Sequence, residues 1–68
     1  MGKTKREFIE ELIQTAQNNV WKCELAVAFR EANPSGDDKK DSMDKKAAEI
    51  NAQKDKEYIK FLNAQLKD

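Results

Sequence analysis

Few residues in this chain of 68 are equipped for chemistry. There is no histidine, and Cys23 is the one thiol. No glycine-rich phosphate loop, no Cys-x-x-Cys pair and no serine-centred elbow occurs. Carboxylates are plentiful, but they stand at ordinary i,i+4 helical spacing, where pairing with lysine explains them. A general acid or base needs a cleft that shifts its pKa, and so short a chain has little room for one. The expectation is a binding protein and not an enzyme, with no cofactor, no metal and no small-molecule substrate. Metal is disfavoured because the lone thiol has no obvious co-ligand.

What remains are groups suited to recognition. Trp21, Leu25, Ala28, Phe29 and Ala32 recur one turn apart and form a candidate partner-binding face. Aromatic residues of this kind are common anchors of binding energy. Lys3, Lys5 and Arg6 cluster at the start of the chain, where cations oppose a helix macrodipole. They suit phosphate groups or an acidic protein surface, or simply solubility. Cys23 falls between Val20 and Val27 and reads as a small hydrophobe, with an intermolecular disulfide as the other use of the thiol. Tyr58 reads as an aromatic at the core edge.

These groups must be positioned by helices. The only break is Asn33-Pro34-Ser35-Gly36, followed by Asp37-Asp38. Proline disfavours helical geometry in the residue before it, and the remainder is turn chemistry. Elsewhere the chain is rich in Ala, Leu, Lys, Glu and Gln, good helix formers. Thr4-Lys5-Arg6-Glu7 fits a capping box. The sequence therefore predicts helix 1 over about 4–32, a turn over 33–38 and helix 2 over about 39–66, folded back antiparallel. An i,i+4 pair between Asp41 and Lys45 is expected near the start of helix 2.

On a helical wheel, helix 1 has a stripe of Phe8, Ile9, Leu12, Ile13, Ala16, Val20, Cys23 and Val27, expected to face helix 2. Trp21, Leu25, Ala28, Phe29 and Ala32 fall nearly opposite. Helix 2 shows Met43, Ala47, Ile50, Tyr58, Phe61 and Leu62, widened by Ile59 and Leu66, and interrupted by Lys54. One partner helix cannot cover both sides of helix 1, so the second side must meet another molecule or a copy of the same one, or be covered by a folded-back terminus.

A domain this small rarely reaches more than about 3–5 kcal/mol of net stability without disulfides, metal or oligomerisation. An internal disulfide is impossible with one cysteine. The fold class expected is thus all-α: an antiparallel two-helix hairpin, with coiled-coil packing, dimerising into a four-helix bundle. Partners expected are a second copy, another protein, or both.

Thirteen basic and thirteen acidic residues give zero net charge. The balance holds within each half of the chain. Nucleic-acid binders show a basic excess on some element, so that class is disfavoured and kept as the alternative, with Lys3, Lys5 and Arg6 as its contacts. No run of about 18 apolar residues suggests a membrane span. One free thiol and no apolar leader after Met1 point to the cytoplasm and an intact small reading frame. In outline the hairpin resembles small plasmid-encoded helical hairpins that dimerise into four-helix bundles and bind RNA, though none of their motifs is present. In size and composition it is similar to phage- or plasmid-type accessory proteins that modulate a host enzyme.

Overall fold

A computed structural model describes residues 2–67. Met1, the natural start expected from the sequence, and Asp68 lie outside them. Among the described residues there are two helices and no strand: α1, Lys5–Ala32, and α2, Asp38–Leu66. Each is roughly 42 Å long at 1.5 Å per residue. The chain measures 52 × 21 × 13 Å, so it is one helix long, two helices wide and a single helix deep.

Local chemistry sets the helix limits. Thr4 is extended (φ −74°, ψ 161°), and its hydroxyl oxygen accepts the Glu7 N–H at 3.1 Å. The Thr4 hydroxyl also donates to the Glu7 carboxylate at 3.1 Å. At the other end of α1, the Asn33 N–H donates to the Phe29 carbonyl at 2.8 Å. Pro34 then cannot continue the ladder. Gly36 has φ +95°, a region that side chains rarely adopt. Asp37 caps α2, its carboxylate accepting the Lys40 N–H at 3.1 Å.

The helices meet along two seams, each stepping by four and three residues. On α1 the covered positions are Ile9, Ile13, Ala16, Val20, Cys23, Val27 and Arg30, with Leu12 and Gln17 beside them. On α2 they are Asp41, Lys45, Ala48, Ala52, Asp55, Ile59, Leu62 and Leu66. That spacing is the heptad signature of helices packed side chain into groove. The apolar core is thin: Ile9, Ala16, Val20, Ala52 and Leu62 are the buried hydrophobic residues, two of them alanines.

Several expectations are corrected here. Phe8 lies outside the seam and is exposed. Of the expected stripe only Leu62 is buried; Met43, Ala47, Ile50, Tyr58 and Phe61 are all exposed, Ala47 at the edge of a groove shared with α1. The inward stripe of α2 lies about 155° round the helix from Met43, Ile50 and Phe61, taking 100° per residue. Lys54 is exposed, and the polar residue at the middle of the seam is Asp55. Size explains the difference. Large side chains dominate a helical wheel, whereas Ala48 and Ala52 let two helix axes approach.

Candidate functional site

The best-defined polar constellation lies at the turn. Asp41 points back along α2 and under the link, where it is 7% exposed. Its carboxylate accepts the Ser35 hydroxyl at 2.7 Å and the Ser35 N–H at 3.0 Å. Arg30 Nε lies 3.6 Å from the same carboxylate. Asp41 is therefore spent on the turn, and the exposed i,i+4 pair with Lys45 expected from sequence is replaced by this clasp. The Ser35 hydroxyl, first, then the Ser35 N–H and the charges of Arg30 and Lys45, hold the Asp41 carboxyl below the usual carboxylate range, against the opposing effect of burial.

That depression has a sign. The folded pKa lies below the unfolded value of about 3.9, so the clasp stabilises the fold above that value. The contribution is lost as pH falls through the folded pKa. Asp41→Asn should therefore lower the melting temperature at neutral pH and flatten the acid side of the stability profile. Circular dichroism melts across the acid range check this. Parallel profiles for the two proteins would show that the clasp carries no linkage.

Among the described residues, no three of His, Cys, Asp and Glu are grouped so as to hold a metal ion. No buried side-chain polar atom among them lacks a hydrogen-bond partner. Cys23 is half-buried on the seam and helps wall two shallow grooves along the helix pair. One is floored by Val27, Ala48 and Ala52 and rimmed by Glu24, Glu49 and Lys56. The other lies between Asn19, Lys22 and Ala26 of α1 and Ala47, Asn51 and Lys54 of α2. Both are open furrows and not clefts.

Of the residues singled out for partner binding, Trp21, Leu25, Ala28 and Ala32 sit on the back of α1, and Phe29 stands at its margin, lining a shallow recess with Asp44, Lys45 and Ala48 of α2. Trp21 is 52% exposed, Leu25 70% and Phe29 62%, with Ala28 and Ala32 exposed among them. The structure brings these five together as one strip one helical turn apart. A second strip was missed by sequence reasoning because it was assigned to the core. On the back of α2, Met43 is 63% exposed, Ile50 48% and Phe61 57%. The steps of four and three through Lys45, Ala48, Ala52, Asp55 and Ile59 were the signal that could have separated seam from surface.

Lys3, Lys5 and Arg6 are exposed at the other end of α1. The Lys3 ammonium bonds both carboxylate oxygens of Glu11, one at 2.6 Å. Lys5 and Arg6 instead flank a shallow recess with Ile9, Gln65 and Leu66. No helix among the described residues is long and apolar enough to cross a membrane. No protein-family model, curated protein or solved structure matches this chain.

Proposed function

We propose that this chain is a protein–protein interaction module that acts by binding and not by catalysis. It serves as a regulator, inhibitor or assembly factor in the cytoplasm, of the kind small phage or plasmid reading frames encode. Its binding surface is the back of α1, built from Trp21, Leu25, Ala28, Phe29 and Ala32. The observation that carries this reading is the exposure of three large apolar side chains in one line, on a helix whose other side is already occupied.

An apolar strip of this kind is costly to leave in water. At about 25 cal/mol per Å², half-exposed Trp21 and Phe29 with Leu25 retain several kcal/mol of unrealised burial. Contiguous exposed apolar patches larger than a few hundred Å² mark interaction sites on soluble proteins. The thin core points the same way, since a second molecule supplies burial that two helices cannot. Two hairpins joined through such a surface make the four-helix assembly expected of a homodimer. The nucleic-acid alternative is weakened by the Lys3–Glu11 pair, which neutralises one of its three cations.

The test replaces Trp21 and Phe29 with glutamate. Each anchor contributes about 2 kcal/mol or more in a well-packed interface, so light scattering should lose the associated species. Helical content by circular dichroism should survive, because neither residue belongs to the seam. Association of the unaltered protein should persist at about 1 M salt, where the screening length is near 3 Å and phosphate-driven binding fails. Collapse of the helices in the double variant would show that the strip is core.

A further inference from the structure

We infer that two copies of this chain pair through the broad face of the hairpin that carries Leu12, Asn19, Asn51 and Tyr58, about a two-fold axis parallel to the helices. This goes beyond the reading above. It gives the second copy a face of its own and leaves Trp21, Leu25, Ala28 and Ala32 to a further partner.

The hairpin is a slab a single helix deep, so it has two broad faces, and they differ. One holds the groove that joins Asn19, Lys22 and Ala26 of α1 to Ala47, Asn51 and Lys54 of α2. Heptad steps from those residues carry this face to the open end of the hairpin, adding Phe8 and Leu12 on α1 and Tyr58 on α2, with Phe61 at its margin. Phe8 is 55% exposed, Tyr58 44% and Phe61 57%, and Leu12 is half-buried. The opposite face holds the groove rimmed by Glu24, Glu49 and Lys56. The same steps along it reach Glu10, Gln17 and Glu31 on α1 and Ser42 and Asn63 on α2, all polar.

Symmetry sets where the second copy lies. A two-fold axis parallel to the helices leaves every residue at its own height. Thus α1 of one copy meets α2 of the other at the register that it has with its own α2. That register puts Arg30 against Asp41, Cys23 against Ala48 and Ile9 beside Leu66. It sets Leu12 opposite Tyr58, Asn19 opposite Asn51 and Ala26 opposite Asp44 of the second copy, each to within about 2 Å along the axis. Outside these, Phe8 comes opposite Phe61, and Phe29 opposite Lys40. Apolar open end meets apolar open end, and amide meets amide at the middle. A foreign partner requires no such match between α1 and α2 of this chain.

The charges allow the same arrangement. Lys22 falls between Ala47 and Asn51 of the second copy, Lys54 between Thr15 and Asn19, Asp44 between Ala26 and Phe29, and Lys5 beside Gln65. Arg30 and Lys45 are engaged by Asp41 of their own hairpin. Half-buried Asp55 comes between Thr15 and Asn19 of the second copy, both of which carry donors. The two Asp55 carboxylates lie across the axis from each other, the one approach of like charges, so Asp55→Asn should tighten the pair. On the opposite face the same operation would set Glu24 against Glu49, which like-charge repulsion disfavours. Lysines outnumber aspartates on the pairing face, so added salt should also tighten the pair, the reverse of phosphate-driven binding. A face of 52 × 21 Å is roughly 1,000 Å² in outline, and a standard stable interface takes about 800 Å² from each partner. Contacts of this isologous kind close at two copies, giving a four-helix bundle in which neighbouring helices run antiparallel.

The test uses the full chain in analytical ultracentrifugation, with circular dichroism for helical content. The unaltered protein should sediment as a dimer. Asn19→Glu with Asn51→Glu, at two exposed sites, opposes carboxylates at the middle of the face; Asn19→Lys with Asn51→Lys opposes ammonium groups. Each variant alone should be a helical monomer. Mixed, they should form a 1:1 heterodimer, because carboxylate then opposes ammonium in both contacts. Tyr58→Ser should keep the helices and weaken the dimer about tenfold or more. Trp21→Glu should leave it intact, since Trp21 lies off this face. A charged variant that dimerises alone, or a mixture that stays monomeric, would overturn the pairing. Should either charged variant lose its helices, Tyr58→Ser decides, and an unweakened dimer there overturns the pairing too. A dimer lost in Trp21→Glu but kept in the charged variants would move the contact to the α1 strip. A monomeric unaltered protein would overturn self-pairing and leave the α1 strip to a foreign protein.

Discussion

Val20→Asp combined with Val27→Asp should leave the chain unfolded at neutral pH and room temperature. Val20 is 2% exposed, the most deeply covered of the core hydrophobic residues, and Val27 is half-covered one heptad further on. Burying a carboxylate without a partner costs several kcal/mol. A domain of this size has about 3–5 kcal/mol in total, so the folded state cannot absorb two such changes. Far-UV circular dichroism should lose its helical signal, because two isolated helices this polar depend on packing for their stability. The glutamates at Trp21 and Phe29 introduce the same charge on the same helix. The comparison therefore separates position from chemistry. A cooperative helical melt in the Val20/Val27 variant would show that the seam does not hold the hairpin together.

Asp55→Leu should act in the opposite direction, stabilising the hairpin by about 1–2 kcal/mol. Asp55 is half-buried on the α2 seam between Ala52 and Ile59, at the level where α1 presents Ala16 and Gln17. Unlike Asp41, it has no side-chain hydrogen bond or ion pair among those of the described residues. A leucine there replaces a half-covered carboxylate and adds apolar burial worth about 1.5–3 kcal/mol when complete. Coverage at this site is partial, and packing beside small alanines recovers only part of that. Thermal melts of the two proteins at one concentration measure the gain. A lower melting temperature for Asp55→Leu would mean that the carboxylate is bound by something the helix pair alone does not supply.

How legible was all this in the residues? Helix limits were, to within a residue or two, because the chemistry that sets them is local: Thr4 before Glu7, and Pro34, Gly36 and Asp37 around the link. The α1 seam was legible because Ile9, Ile13, Ala16, Val20 and Val27 fill successive heptad positions with apolar groups. Phe8 was the exception, one residue and about 100° away from Ile9. The α2 seam was hidden for a physical reason. It runs through Asp41, Lys45, Ala48, Ala52 and Asp55, so its inward half carries no large apolar residue until Ile59. The eye then follows Met43, Ile50 and Phe61 to the wrong side. The α1 strip was visible because it lies opposite a well-filled seam. The Ser35–Asp41 clasp left no local pattern, since six residues separate a common serine from a common aspartate.

That clasp also bears on the order in which the molecule assembles. Arg30, Ser35 and Asp41 lie within a short stretch of chain, so closing the loop among them sacrifices little conformational freedom. Ile9 and Leu62 at the open end are separated by most of the chain and meet late. Folding should therefore nucleate at the link and zip towards the termini, as expected where contacts are local in sequence. Substitutions in the clasp would then slow folding, and substitutions at Leu62 would chiefly hasten unfolding. Stopped-flow rates for Asp41→Asn and Leu62→Ala distinguish the two, and a folding rate untouched by Asp41→Asn would place the nucleus elsewhere. With a nucleus at the link, Phe29 and Met43 lie on the parts of the two exposed strips that form first.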